Sequence, residues 1–98
     1  MPTSAPVATS MLAEPWRLDG SVALRPEPFG ALAYHFGTRR LSFLKTPELV
    51  DVVRRLEHSP TVQDALVGAG VPEPHWPAYT HALAGLARGG MITRRDDA

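Results

Sequence analysis

Large apolar residues alternate with small or polar residues in the second quarter of the chain. A period of two is typical of β-strands that bury one face. Val22 and Leu24 predict a first strand, which ends at Pro26 because proline cannot donate to a sheet ladder. Two further runs flank Gly37-Thr38, a dipeptide that suits a two-residue type II′ turn. The pattern predicts three antiparallel strands, of which the last two form a hairpin.

The predicted hairpin has a register that follows from its turn. A two-residue loop pairs Phe36 with Arg39, Tyr34 with Leu41, and Leu32 with Phe43. Apart from Leu44, the large apolar residues of the hairpin then share one face. The opposite face carries Ala31, Ala33, His35, Arg40, Ser42 and Leu44. We therefore expect the sheet to bury the face with the large apolar residues and to leave the other in water.

Three helices are predicted after residue 45. Thr46 is the N-cap of the first, with Pro47 at its first position, and Ser59-Pro60 starts the second. Gly89-Gly90 ends the third, and a strand-like segment over 91–93 follows. The apolar stripes of the three helices are Leu49, Val52, Val53 and Leu56; Val62, Ala65, Leu66 and Ala69; and Trp76, Tyr79, Leu83 and Leu86.

The order of these elements predicts an α+β domain, a winged helix-turn-helix-like fold with a three-stranded antiparallel sheet followed by three helices. Residues 1–15 are rich in Ala, Pro, Ser and Thr without an apolar period, which indicates a flexible N-terminal arm. Met11 is an alternative first residue. The predicted domain covers 16–95, with Trp16 anchoring the arm, and a frayed tail covers 96–98.

Composition restricts the classes of function. A chain of 98 residues with 44% hydrophobic content has room for one modest core, and its formal net charge of +0 gives no overall field toward nucleic acid or membrane. The chain has no cysteine, which excludes disulfides and thiolate sites and fits a cytoplasmic location. No apolar run approaches the roughly 18 residues of a membrane span, and no signal peptide is recognisable.

The last strand of the predicted sheet is the leading candidate for a binding site. Residues Arg39 to Lys45 have no expected partner on their outer side, so their backbone groups are free to pair with a peptide. The alternative is that Arg39, Arg40 and Lys45 only protect an ordinary edge from aggregation. Such an edge can also pair with its own copy in a homodimer.

A groove between this strand and the third helix is the expected floor of the site. The candidate peptide-binding residues are Arg40, Leu41, Ser42, Phe43 and Leu44 on the strand, and Tyr79, Ala82, Leu83 and Leu86 on the helix. The alternative for Leu41, Phe43, Leu83 and Leu86 is that they belong to the core.

Two other classes of function are weaker. A winged-helix DNA-binding regulator reads bases with polar side chains of its last helix, but here that helix offers only Thr80, His81 and Arg88, and the chain has no Asn. An enzyme or metal site is not indicated either. The four histidines have no i, i+4 pair, Ser42 has no base nearby in sequence, and no glycine-rich loop opens a helix. We expect no catalytic residue, no metal and no cofactor.

Four segments carry a family resemblance: Trp16-Arg-Leu, Val22-Ala-Leu-Arg-Pro-Glu, Phe29-Gly-Ala-Leu-Ala-Tyr and Phe43-Leu-Lys-Thr-Pro-Glu-Leu. In this combination the chain resembles the peptide chaperones of mycofactocin biosynthesis, small relatives of the PqqD-like pyrroloquinoline-quinone peptide chaperones. The resemblance covers about Trp16 to Arg95 and leaves the Ala/Pro-rich arm unmatched.

The resemblance implies a precursor-peptide recognition element. Such a domain binds the leader of a ribosomally made peptide as an added strand, here beside Arg39 to Lys45 and Trp76 to Arg88. It also implies a partner, a radical S-adenosylmethionine maturase that modifies the precursor and carries the iron-sulfur chemistry.

Overall fold

The computed structural model describes residues 11–95 of the chain. The strands are β1 (Trp16–Leu18), β2 (Val22–Glu27), β3 (Gly30–His35), β4 (Leu41–Leu44) and β5 (Ile92–Arg94). The helices are α1 (Pro47–Arg55), α2 (Val62–Gly68) and α3 (Trp76–Arg88), with short 3₁₀ turns over Leu56–His58 and Glu73–His75. The protein is α+β, and its three-stranded antiparallel sheet and three helices confirm those parts of the predicted fold.

The larger sheet has the strand order β2-β3-β4. Tyr34 pairs with Leu41 and Leu32 pairs with Phe43, as the alternation of the sequence predicts. Leu32, Tyr34, Leu41 and Phe43 therefore share one face, and Leu44 lies on the other. We call the first of these the outer face, because it is turned away from the helices.

The loop between β3 and β4 is longer than predicted. His35 N donates to Arg40 O (2.9 Å), which leaves residues 36–39 in the loop. A type II′ turn needs a positive φ at Gly37, but the positive φ, 64°, lies at Arg39. His35 Nδ1 accepts two backbone N–H groups of the loop at 3.0 and 3.1 Å. The two-residue turn and its pairing of residues 36 and 39 are wrong, because His35 organises a loop of four residues.

The buried face of the sheet is the reverse of the predicted one. Ala31 and Ala33 are at most 1% exposed, whereas Leu41 is 55% and Phe43 is 60% exposed. The reason is the close approach of α1, which contacts β3 and β4. A Cβ atom at Gly30 would collide with backbone atoms of β4 and of the turn into α1, so the chain passes close to the start of β3 as it enters this helix.

A second sheet is absent from the sequence-based prediction. β1 pairs with β5 in antiparallel register, with Leu18 opposite Ile92 and Trp16 opposite Arg94. The strand-like segment predicted after α3 is present as β5. Its partner β1, which the prediction lacks, precedes the three-stranded sheet in the chain. The predicted element order is therefore wrong, because two three-residue strands from opposite ends of the domain pair with each other.

Residues before β1 contact the domain. Met11 is 1% exposed, and the carbonyls of Leu12 and Glu14 accept backbone N–H groups at the start of α2. Trp16 Nε1 donates to Glu14 Oε1 (3.0 Å). The division of the chain into an arm, a domain and a tail stays a prediction, since residues 1–10 and 96–98 lie outside the described residues.

The helix starts follow N-cap chemistry. Thr46 Oγ1 accepts the N–H of Leu49 (3.1 Å), as predicted for α1. α2 is capped by Thr61, whose Oγ1 accepts the N–H of Asp64 (3.3 Å). Ser59, the expected start, instead donates through its hydroxyl to a carbonyl of α1. No helix within residues 11–95 combines the length and apolarity that crossing a membrane requires.

The core lies between the inner face of the sheet and the three helices. Its largest fully buried side chains are Met11, Leu44, Leu56, Leu66, Leu83, Met91 and Ile92. Arg95 ties the last strand to the segment between α1 and α2. Its guanidinium donates to the carbonyls of Leu56, Glu57, Ser59 and Pro60 at 2.8 to 3.2 Å, so a single side chain holds one turn of backbone.

Candidate peptide-binding site

The edge of β4 opposite β3 has no strand beside it within residues 11–95. Hydrogen-bonded pairs in an antiparallel ladder recur at every second residue. Because β3 donates to Arg40 O, the backbone groups of Ser42 and Leu44 also face β3. The N–H and C=O groups of Leu41 and Phe43 then point away from the sheet. These two residues offer an added strand two donors and two acceptors.

A trough runs between this edge and α3. One cavity of about 310 Å³ is lined by Ser42, Phe43, Lys45, Leu49, Ala82, Gly85 and Leu86. A second of about 190 Å³ is lined by Thr46, Leu49, Ala78, Tyr79 and Ala82. The two cavities share Leu49 and Ala82, so they form one trough along the helix. The helix contributes mainly small residues to it, which keeps it open.

The structure separates the predicted site residues into three groups. Five of them line the trough: Ser42, Phe43, Tyr79, Ala82 and Leu86. Arg40 and Leu41 are exposed at the edge. Leu44 and Leu83 are at most 1% exposed and belong to the core, which was the alternative reading for Leu83.

Sequence reasoning missed part of the trough. Leu49 lies on the buried stripe of α1 but also lines both cavities. Ala78, Ala82 and Gly85 recur at spacings of four and three on α3, which places them on one face of the helix. The signal in the sequence was this row of small residues beside Tyr79 and Leu86. It was missed because helical faces were identified by their large apolar residues.

The charges around the edge are cationic. Arg39, Arg40 and Lys45 flank β4, and none of them forms an ion pair within the described part of the chain. The trough itself is apolar apart from its rim. The apolar side chains of an extended peptide fit the trough, and the flanking cations favour acidic groups beside it.

The exposed surface of α3 is poor in groups that read bases. Thr80 is 3% exposed and its hydroxyl is turned toward the carbonyls of Trp76 and Pro77. His81 and Arg88 are therefore the polar side chains that remain exposed among those considered for this helix. Between residues 11 and 95 there is also no cluster of three or more His, Cys, Asp or Glu that could hold a metal ion.

An open strand edge above an apolar trough is typical of peptide-binding modules that capture an extended chain by strand addition. The model of the peptide chaperone MftB family matches residues 15–93, and this chain belongs to that family. The resemblance to the peptide chaperones of mycofactocin biosynthesis is thereby confirmed.

Individual relatives cover most of the chain. The peptide chaperone MftB of Mycolicibacterium smegmatis is 52% identical over 77 residues, which are 79% of this chain and 76% of the relative. The proteins of the same name from Mycobacterium ulcerans and Mycobacterium tuberculosis are each 51% identical, covering 83% and 82% of this chain and 74% and 73% of their own length. No solved structure matches the chain significantly.

Proposed function

We propose that this chain is a non-catalytic peptide chaperone that binds the leader of a ribosomally synthesised precursor by strand addition to β4. In the proposal it presents the bound precursor to a radical S-adenosylmethionine maturase in mycofactocin biosynthesis. Membership of the MftB family supports the chaperone role. The single observation that carries the binding mode is the β4 edge, which has no strand beside it within residues 11–95 and lies directly above the apolar trough.

The magnitudes indicate what the leader must contain. Four backbone hydrogen bonds to Leu41 and Phe43 contribute roughly 2–6 kcal/mol net. Association costs about 4–15 kcal/mol in lost freedom of motion. Each apolar side chain that the trough buries contributes about 1.5–3 kcal/mol. We therefore infer that the leader carries apolar residues two positions apart, since alternate side chains of an added strand point into the trough.

The winged helix-turn-helix-like description belongs to the same proposal. In this description β2 to β4 form the sheet, and α2 and α3 form the helix pair. The support is the three-stranded sheet packed on three helices. In this chain the helix that reads DNA in winged-helix regulators forms one wall of the peptide trough.

An NMR titration of the ¹⁵N-labelled protein with the leader peptide tests the proposal. We expect shifts at β4 and on the trough side of α3, and none at the β1–β5 sheet beyond the scatter of the measurement. The shifts at Leu41 and Phe43 N–H should be downfield, because these groups gain hydrogen bonds. Saturable shifts confined to other elements would contradict strand addition at β4.

A further inference from the structure

The outer face of the larger sheet carries most of the exposed large apolar side chains of the described chain. Phe36 is 62%, Phe43 60%, Leu41 55% and Phe29 41% exposed. Two edge-to-face ring contacts organise this face, Phe29 with Phe43 at 6.0 Å and Tyr34 with Phe36 at 5.3 Å between centroids. The face is thus rich in exposed aromatic side chains, whereas Ala31, Ala33 and Leu44 lie on the buried side.

The size of this surface indicates a function. An aromatic side chain covers about 150–250 Å², so three phenylalanines and a leucine that are about half exposed leave an apolar patch of roughly 400 Å². Patches of this size on a monomer are frequently interaction sites. A standard interface covers about 800 Å² per partner, so the patch supplies the apolar centre of a modest, reversible contact.

We propose that the outer face is the surface on which the maturase docks, and that the maturase contributes an apolar patch bordered by carboxylates. The inference rests on the proposed function above and assigns the surface by which the chaperone meets the enzyme. The cations Arg39 and Lys45 flank β4 and have no ion-pair partner within residues 11–95. They favour a partner with acidic residues at its rim.

The same charges disfavour a second copy of the chain as the occupant. In a twofold pairing of outer faces, each copy would bring its own cationic ends of β4 to the other. Glu27, an acidic group on the same face, is already paired with Arg25 of its own chain, so two cationic β4 rims around about 400 Å² of apolar surface per copy do not make a stable dimer. A different protein with the opposite charge suits the face better.

The outer face is continuous with the β4 edge, so docking of the maturase and binding of the leader involve neighbouring surfaces. Leu41 and Phe43 point their backbone groups toward the open edge and their side chains onto the outer face. An added strand would place every second side chain on that same face. The bound leader therefore enlarges the docking surface, and the maturase contacts chaperone and leader together. Leader binding should then tighten maturase binding.

The test uses the double substitution Tyr34→Ser/Phe36→Ser. These residues lie on the outer face but neither on the β4 edge nor in the trough. Val67→Ser is the matched control, because Val67 is 60% exposed on α2, outside this face. Purified maturase and leader peptide are the probes, in biolayer interferometry and calorimetry respectively. Circular dichroism monitors folding, and Phe36→Ser alone replaces the double variant if that does not fold.

We expect the outer-face variant to weaken maturase binding at least tenfold and to change the leader Kd less than twofold, while Val67→Ser changes neither. In the unmodified protein the leader should tighten maturase binding at least threefold. Unchanged maturase affinity with normal leader binding overturns the docking surface and leaves the chaperone function standing. Absence of leader binding to the unmodified protein contradicts the proposed function itself.

Two other occupants are distinguished in the same set of proteins. Sedimentation equilibrium that shows a dimer of the unmodified protein and a monomer of the outer-face variant would assign the face to self-association. Flotation with phosphatidylserine-containing vesicles, lost in the variant, would assign it to a membrane surface. Either result overturns the proposal.

Discussion

The substitution Leu41→Pro tests whether the leader peptide accepts a hydrogen bond from the backbone N–H of Leu41. The N–H of Leu41 points away from the sheet, so proline removes a group that the leader uses and that the fold does not. Loss of one hydrogen bond of about 1 kcal/mol raises the leader Kd roughly fivefold. Leu41→Ala is the matched control, since it also removes the side chain but keeps the N–H.

The neighbouring position gives the opposite expectation. The N–H of Ser42 faces β3, so Ser42→Pro breaks the ladder and leaves the carbonyl of Ala33 without its donor. We expect it to lower the free energy of unfolding by about 1–3 kcal/mol, measured by urea denaturation, whereas Leu41→Pro changes it little. Calorimetric titration gives the leader Kd. If Leu41→Pro and Leu41→Ala bind the leader equally, the peptide does not pair with this edge.

Three further predictions concern the trough, Arg95 and the charge distribution. Ala82→Leu fills the trough and should weaken leader binding at least tenfold. The control His81→Leu adds an apolar side chain to the exposed side of α3 and should leave leader binding unchanged. Equal effects of the two variants in calorimetry would argue against the trough. Arg95→Ala removes four hydrogen bonds to carbonyls and should lower the free energy of unfolding, measured by urea denaturation, by about 2–4 kcal/mol. Arg95→Lys should recover only part of this loss. An unchanged denaturation midpoint in Arg95→Ala would refute this role. Raising salt from about 50 to about 200 mM should change leader affinity less than threefold, whereas a steep salt dependence with duplex DNA would indicate a phosphate-binding protein.

The alternation of residues in β3 and β4 was sufficient to predict their register but not their buried side. Alternation states which residues share a face, and the usual expectation is that the larger apolar set is buried. Here Ala31 and Ala33 are buried, together with Leu44 of the same face, because α1 packs on that side of the sheet. The small residue at position 30 was the local signal of that approach, and it is visible only once the path of the chain into α1 is known.

The candidate site was predicted in part for a similar reason. The open edge follows from the order of the strands, which local patterns give well. The trough depends on Leu49, Ala78 and Gly85, whose neighbours across the trough come from distant parts of the chain. The β1–β5 sheet is harder still, because strands of three residues have no measurable period and their pairing is entirely long-range.

The pairing of β1 with β5 also bears on how the domain folds. Arg95 N donates to Pro15 O (3.0 Å), so the backbone forms a closed ring of about 80 residues. Closing so long a ring carries a larger entropic penalty than closing a hairpin or forming a helix, and we expect it to form after those elements. Proximity of the two ends also means that a circular permutant, with 15 and 95 joined by a short linker, makes this closure local, at the cost of the contacts that residues 11–14 form with the core and with α2.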